Sequence, residues 1–400
     1  MLKKILCLLT AFGLIFSSIA ISVYASDIEE NLNNATNSEA DASIPLASDL
    51  SVEAKSAILM DAETGTVLYS KDAHTALPPA SVTKIMTLLL VAEAIDEGRL
   101  SPEDRVFISA NASSMGGSQI FLKEGEEFSI EELLKSTVIA SANDAAVALA
   151  ERLCGNEQSF VALMNRRASE LGMKHTHFEN ATGLDDSVTN HLTSAYDIAL
   201  MSRELIKHGC VMKYSNVWQD SIRGGEFILT NTNRLVRYYA GCTGLKTGST
   251  DKAGFCVSAT AARDGMHLIA VVMGAETRDK RNETARTMLD YGFANYAVYT
   301  DAAEDLEQIP VKKGKITSVT ARSDEFKLLV SKSDLNKIEK RYDIPASLLA
   351  PFSAGDKIGA IIYTLDGNEL GRATIRAAEE CEELDMLDVL WRIIMSILVG

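Results

Sequence analysis

From Ser81 to about Asp96 the chain is apolar on nearly every face of a helix, with Val82, Ile85, Met86, Leu88, Leu89, Leu90, Val91 and Ala92 leaving no polar stripe. A helix of that kind has to be wrapped by other elements, so the segment predicts a central helix inside a sizeable domain. The material is there: 400 residues, 46% of them hydrophobic and only 7 prolines, predict two domains plus terminal extras.

The wrapping elements are legible from their punctuation. Ser56–Met60 and Thr66–Tyr69 flank the turn-rich Asp61–Gly65 and predict a β-hairpin. Ser129 with Glu132 three positions on is a capping-box pattern, predicting a helix through Leu133, Leu134 and Val138 that stops near Ser141. A third helix is predicted from about Asp144 to Cys154, with Gly155 as its C-terminal stop. Phe255–Thr260 and His267–Met273, joined through Arg263-Asp264-Gly265, predict a second hairpin in one antiparallel sheet with the first. From about residue 305 to 378 the pattern shifts to short runs such as Lys327–Val330 and Ile358–Tyr363, with a turn at Asp366-Gly367. This predicts a separate small β domain.

The termini point to export. Lys3 and Lys4 precede an apolar run from Ile5 that ends in Val23-Tyr24-Ala25, the pattern of a secretory signal over 1–25; an uncleaved anchor is the competing reading. Residues 26–50, rich in Ser, Asn, Ala, Asp and Glu, predict a flexible leader. At the other end, Leu384–Val399 is apolar except for Asp385, Asp388, Arg392 and Ser396, which recur on one narrow helical stripe. Such a helix reaches only about 24 Å, against roughly 30 Å of hydrocarbon core. Residues 384–399 therefore predict an amphipathic helix lying on a membrane surface. Packing on its own protein is the alternative, favoured by the acidic flank Glu379, Glu380, Glu382 and Glu383, which offers anionic lipid no attraction. A formal net charge of −16 excludes nucleic acid as a partner. The cysteines after the signal, Cys154, Cys210, Cys242, Cys256 and Cys381, are odd in number and lack CxxC spacing, so neither a disulfide framework nor a zinc site follows. A Cys242–Cys256 pair on adjoining strands stays open.

Pro79-Ala80-Ser81-Val82-Thr83-Lys84 places a hydroxyl and an amine three residues apart at the start of the buried helix, on one face and one turn apart. Burial disfavours an ammonium, so Lys84 can act as a neutral base that takes the Ser81 proton without a histidine. The helix N-terminus adds positive dipole where negative charge develops in acyl transfer. Two further triplets supply walls for a cleft. Ser141-Ala142-Asn143 falls at a break between two helices, and Lys246-Thr247-Gly248 falls just ahead of a strand.

With those three elements in order, the chain resembles the penicillin-binding and serine β-lactamase superfamily. The resemblance extends to Pro79–Thr87, Thr182-Gly183-Leu184 and Gly244–Gly248, covering roughly residues 50–295. With the following β domain and amphipathic tail, it is most similar to low-molecular-mass D-alanyl-D-alanine carboxypeptidases of the peptidase S11 type. The resemblance implies an α/β (α+β) fold: a penicillin-binding domain over 51–298 with an antiparallel sheet flanked by helices, then a small all-β domain. It implies a serine peptidase that removes the terminal D-alanine of peptidoglycan pentapeptides outside the cytoplasmic membrane, is acylated by β-lactams, and needs no metal or cofactor. Ser81 would be the nucleophile and Lys84 its base. Ser141 would relay a proton to the leaving D-alanine, Asn143 would hold the substrate amide and Lys84, and Lys246 would polarise Ser141. Thr247 would bind the terminal carboxylate, and the N–H groups of Ser81 and Ser249 would form the oxyanion hole. Gly248 would let the peptide substrate lie alongside the strand. An arginine for the carboxylate has no unambiguous match, Arg234 and Arg278 both being candidates.

Other readings are weaker. His175, His177 and Glu179 lack a convincing set of metal ligands, and His74, His191, His208 and His267 are isolated in sequence. A β-lactamase shares the three motifs, but Glu151, Glu157, Glu170, Glu179 and Glu204 lack the context of a deacylating Glu-x-x-x-Asn. A non-catalytic wall-binding protein on this fold has no reason to keep all the motif residues.

Overall fold

The computed structural model describes residues 50–184 and 188–399; the expected signal and, apart from Leu50, the expected leader lie outside the described residues. Strands β1 (Ser56–Asp61), β2 (Val67–Lys71), β3 (Cys242–Thr250), β4 (Gly254–Arg263) and β5 (Met266–Ala275) form one antiparallel sheet in the order β2-β1-β5-β4-β3. The two expected hairpins thus join through β1 and β5, with Leu59 opposite Ala270 and Met60 opposite Ile269. Because side chains alternate along a strand, the sheet has two apolar faces. Ile58, Met60, Ile269, Val271 and Met273 enter one core, while Ala57, Leu59, Leu268, Ala270 and Val272 enter the other.

The first core is the helical layer. It holds α1 (Lys84–Asp96), α2 (Ile130–Ile139), α3 (Asn143–Cys154) and α4 (Ala195–Leu205). Every residue of α1 from Lys84 to Ala92 is buried, as its all-round apolar pattern requires. At α2 both capping-box bonds form, Glu132 N to Ser129 Oγ and Ser129 N to Glu132 Oε2, each at 3.1 Å. Gly155 closes α3 at φ 82°. The second core is covered by α5 (Arg278–Asn295), which buries Ala285, Met288, Leu289 and Phe293.

Lys246-Thr247-Gly248, expected just ahead of a strand, lies inside β3 at the edge of the sheet. That run has no apolar alternation because its side chains line a cleft instead of a core. Lys246 pairs with Ser258, whose Oγ bonds Ser202 of α4 at 2.8 Å, so both face the helical layer. The described cysteines are free, and Cys242 opposes Ala261 while Cys256 opposes Gly248, well out of register with each other.

The C-terminal part is all β up to its last helix. Glu339–Asp343, Lys357–Leu365, Asn368–Ala377, Ser318–Ser323, Asp305–Lys312 and Leu348–Leu349 form a six-stranded sheet in that order. The expected run Lys327–Val330 behaves differently. It lies in β7 (Phe326–Ser331) and pairs with β6 (Tyr296–Asp301), which precedes residue 305. Leu329 of β7 packs in the second core, whereas Phe326 stacks on Tyr363 of the small domain with centroids 3.9 Å apart. The final helix, α6 (Met386–Val399), is held by its polar stripe. Arg392 Nη2 donates to Gly314 O at 3.1 Å and to Lys315 O at 2.7 Å, leaving Leu387, Leu390, Trp391 and Ile397 exposed on other faces. Among the described residues no helix is long and apolar enough to cross a membrane.

Candidate active site

Three segments converge beside the N-terminal end of α1: the 3-10 turn Ala80–Thr83, the loop between α2 and α3, and the edge strand β3. Two of them are strained. Ala80, just ahead of Ser81, has φ 49° and Ser141 has φ 61°, a region that costs a residue with a side chain about 1–3 kcal/mol. Such strain persists only where the surroundings impose it, and here both residues aim a serine hydroxyl inward.

Lys84 is fully buried and donates to Ser81 Oγ at 2.9 Å and to the carbonyl of Thr182 at 2.8 Å. Burial, then the charge of Lys246, pushes its amine well below the usual lysine value, with Asp144 pulling weakly the other way. Lys246 donates to Ser141 Oγ at 2.8 Å and to Thr247 O at 2.9 Å, and burial followed by the Arg281 charge pushes it down to about 7. Thr247 Oγ1 bonds Thr232 Oγ1 at 2.8 Å, on the segment 231–234 singled out in the sequence. Asn143 Nδ2 donates to Gly116 O at 2.7 Å, while its Oδ1 is buried with no partner among the described residues. Lys84 thus gives its second bond to the Thr182 carbonyl and not, as expected, to Asn143, whose Oδ1 is left as an acceptor with no partner among the described residues.

Gly248 has a more immediate reason than room for a ligand. A Cβ there would stand 2.8 Å from Pro79 O, 2.8 Å from Ser81 N and 2.9 Å from Val82 N, so β3 presses directly on the Ser81 turn. Ser249 follows it, exposed at the open end of the strand. Ser81, Lys84, Ser141, Asn143, Lys246 and Thr247 thus come together from three parts of the chain.

Sequence reasoning missed two contributors. Thr182, named in the sequence only within the Thr182-Gly183-Leu184 resemblance, acts through its backbone, a role no side-chain pattern can reveal. Arg281, not Arg234 or Arg278, is the guanidinium whose charge bears on Lys246; it is 3% exposed and itself pushed down to about 10 by burial and then by Arg278. Its signal was an arginine on the same helical stripe as Ala285, Met288 and Leu289. The candidate glutamates are engaged elsewhere: Glu151 accepts from Ser109 and Asn111, Glu157 from Ala181 N, Glu170 from Arg167, Glu179 from Thr189 N and Asn190 N, and Glu204 from Lys207.

Residues 39–277 match the D-alanyl-D-alanine carboxypeptidase family, peptidase S11, and residues 298–383 match the C-terminal domain of penicillin-binding protein 5. The chain is 41% identical to the D-alanyl-D-alanine carboxypeptidase DacF of Bacillus subtilis over 86% of its own length and 90% of that protein's. It is 35% identical to DacD of Escherichia coli over 79% and 84% of the two chains. Its fold is similar to penicillin-binding protein 5 of Haemophilus influenzae, with a TM-score of 0.70 at 29% identity over 84% of this chain and all of that one. It also resembles penicillin-binding protein D2 of Listeria monocytogenes in its ampicillin-bound form, with a TM-score of 0.56 at 33% identity over 61% and 99%. The chain belongs to the D-alanyl-D-alanine carboxypeptidase family of serine peptidases.

Proposed function

We propose that the protein removes the terminal D-alanine from peptidoglycan pentapeptides through an acyl-enzyme on Ser81, and that β-lactams acylate the same hydroxyl. The observation that carries this reading is the Ser81–Lys84 bond, made by an amine that burial favours in its neutral form.

Ser81 Oγ attacks the carbonyl carbon of the penultimate D-alanine as its proton passes to Lys84 Nζ. Negative charge gathers on the carbonyl oxygen, where the backbone N–H groups of Ser81 and Ser249 stabilise it. Ser141, its hydroxyl polarised by Lys246, delivers a proton to the departing nitrogen and regains one from Lys84 Nζ, which is left neutral again. The C–N bond breaks, D-alanine leaves and an ester remains on Ser81. Water then attacks that ester, giving its proton to Lys84, and Ser81 Oγ recovers a proton as the acid departs. Thr247 and the positive field of Lys246 and Arg281 take the substrate's terminal carboxylate. Asn143 Oδ1, buried and with no partner among the described residues, accepts the substrate amide N–H.

The expected signal peptide, the small β domain and the outward apolar faces of α6 support a place outside the cytoplasmic membrane, with α6 lying on its surface. The engagement of the five glutamates elsewhere supports slow rather than fast release of a bound penicillin. Ser81→Ala tests the reading: fluorescent penicillin should no longer label the protein, and D-alanine release from a pentapeptide should fall by at least about 10³-fold. Release at the wild-type rate by that variant would end it.

A further inference from the structure

We infer that His191 is a positioning residue for the Ser81–Lys84 pair, an inference that rests on the acyl-enzyme reading above. In sequence His191 looks isolated; in the fold it is 5% exposed and spans two segments of the site. Its Nδ1 accepts the backbone N–H of Glu179 at 3.0 Å, which places the ring proton on Nε2. Nε2 in turn donates to Thr83 Oγ1 at 2.8 Å, on the residue next to Lys84. That tautomer of the ring serves both of these contacts.

What His191 ties to the helix is the strand of backbone that serves Lys84. Segment 179–184 presents the Thr182 carbonyl to Lys84 Nζ at 2.8 Å and the Ala181 carbonyl to Thr87 Oγ1 at 2.7 Å. Its own shape is held by Asn180, whose Oδ1 accepts from Gly183 N at 2.7 Å and whose Nδ2 donates to Leu184 O at 2.7 Å. Gly183, at φ 81°, lies so close that a Cβ would stand 1.8 Å from Ala80 O and 2.7 Å from Thr83 Oγ1. The segment therefore has one seat on the Ser81 turn, and the imidazole bridges its start to the middle of that turn.

The consequence is directional. A neutral lysine amine has one lone pair, and it must face the Ser81 hydroxyl for proton transfer. The carbonyl that takes one of its N–H groups sets the rotation about Cε–Nζ and leaves the lone pair two staggered positions, one of them toward Ser81 Oγ. Misplacement by about 1 Å at such a step costs on the order of 100-fold in rate.

The test uses the full chain, measuring the second-order rate of acylation by a fluorescent penicillin together with the thermal midpoint. His191→Ala and Thr83→Val should each slow acylation by about 10- to 100-fold. His191→Gln, whose Nε2 can reach Thr83, and Thr83→Ser, which keeps the hydroxyl, should restore most of it, whatever each does to the midpoint. If His191→Ala does not fold, the Thr83→Val and Thr83→Ser pair decides alone. Wild-type acylation rates in His191→Ala or Thr83→Val would overturn the inference. So would His191→Gln and Thr83→Ser as slow as the variants they should rescue, with rates that simply follow the midpoint. Wild-type protein that the penicillin does not label at Ser81 would instead overturn the acyl-enzyme reading beneath it.

Discussion

Two buried lysines, neither bonded to a carboxylate among the described residues, set the proposed chemistry at the scale of single residues, and it asks them for opposite states. As base, Lys84 must be neutral; to polarise Ser141 and meet a carboxylate, Lys246 must be charged. Acylation should therefore rise with pH as Lys84 loses its proton and fall as Lys246 loses its own, giving a bell. In the free enzyme the falling limb should lie near the Lys246 value of about 7. Lys246→Arg keeps the charge at any accessible pH but fits a compact site poorly. It should lower the maximum and carry the falling limb to higher pH, as measured by penicillin acylation rates across the pH range; an unmoved limb would reassign it. The same lysine has a stability signature. Its folded value is depressed, so between about 7 and the unfolded value of 10.5 the unfolded chain binds more protons, and stability rises with pH across that window. Most of these residues were legible because Ser-x-x-Lys spacing is a helical rule and the triplets followed in order. Thr182, Arg281 and His191 were not, since each acts through a contact made by distant parts of the chain or through the backbone.

At the scale of elements, the site is a joint between a helix turn and a sheet edge. The central helix and its capping-box neighbour could be read directly, because burial on all faces and an N-cap are local properties. Strand β3 was harder to read. Its Lys246-Thr247-Gly248-Ser249 run carries cleft-facing polar groups where a strand pattern would show alternation. Strand β6 was missed for another reason: it is short, follows α5 at once, and finds its partner β7 across the intervening chain. The joint itself depends on Gly248, whose missing side chain lets β3 touch the backbone of Pro79, Ser81 and Val82. Gly248→Ala must push apart two backbone segments that have no flexible side chain to yield. Overpacking of that kind costs about 1–3 kcal/mol, visible as a lower thermal midpoint. Acylation should fall by roughly 10- to 100-fold as Ser81 and the Ser249 N–H separate. A variant that unfolds earlier yet acylates normally would show that β3 supports the turn without setting its geometry.

For the whole molecule the question is how its parts are tied together and which surface is left uncovered. Strand β7 meets the second core through Leu329 and the small β domain's core through Phe326, so the two parts share a strand as well as a linker. At the far end, Lys315 Nζ lies 3.9 Å from Asp388 and Arg392 bonds the 314–315 carbonyls, so the polar side of α6 is committed to the β domain. Its apolar side is not: Leu387 is 75% exposed, Leu390 54%, Trp391 64% and Ile397 75%. An aqueous surface seldom leaves that many large side chains contiguous on one helix. Four of them immersed in lipid would supply on the order of 6 kcal/mol, enough for reversible attachment without a spanning segment. Because Glu379, Glu380, Glu382 and Glu383 adjoin the helix, attachment to lipid through α6 would be apolar and not electrostatic. The protein should therefore cosediment with neutral phosphatidylcholine vesicles at least as well as with anionic ones and remain bound in high salt, with Trp391 fluorescence shifting to the blue. Removal of residues 385–400 should abolish cosedimentation and leave penicillin acylation in solution unchanged. Binding that required anionic lipid, or survived that truncation, would move the attachment surface elsewhere on the molecule.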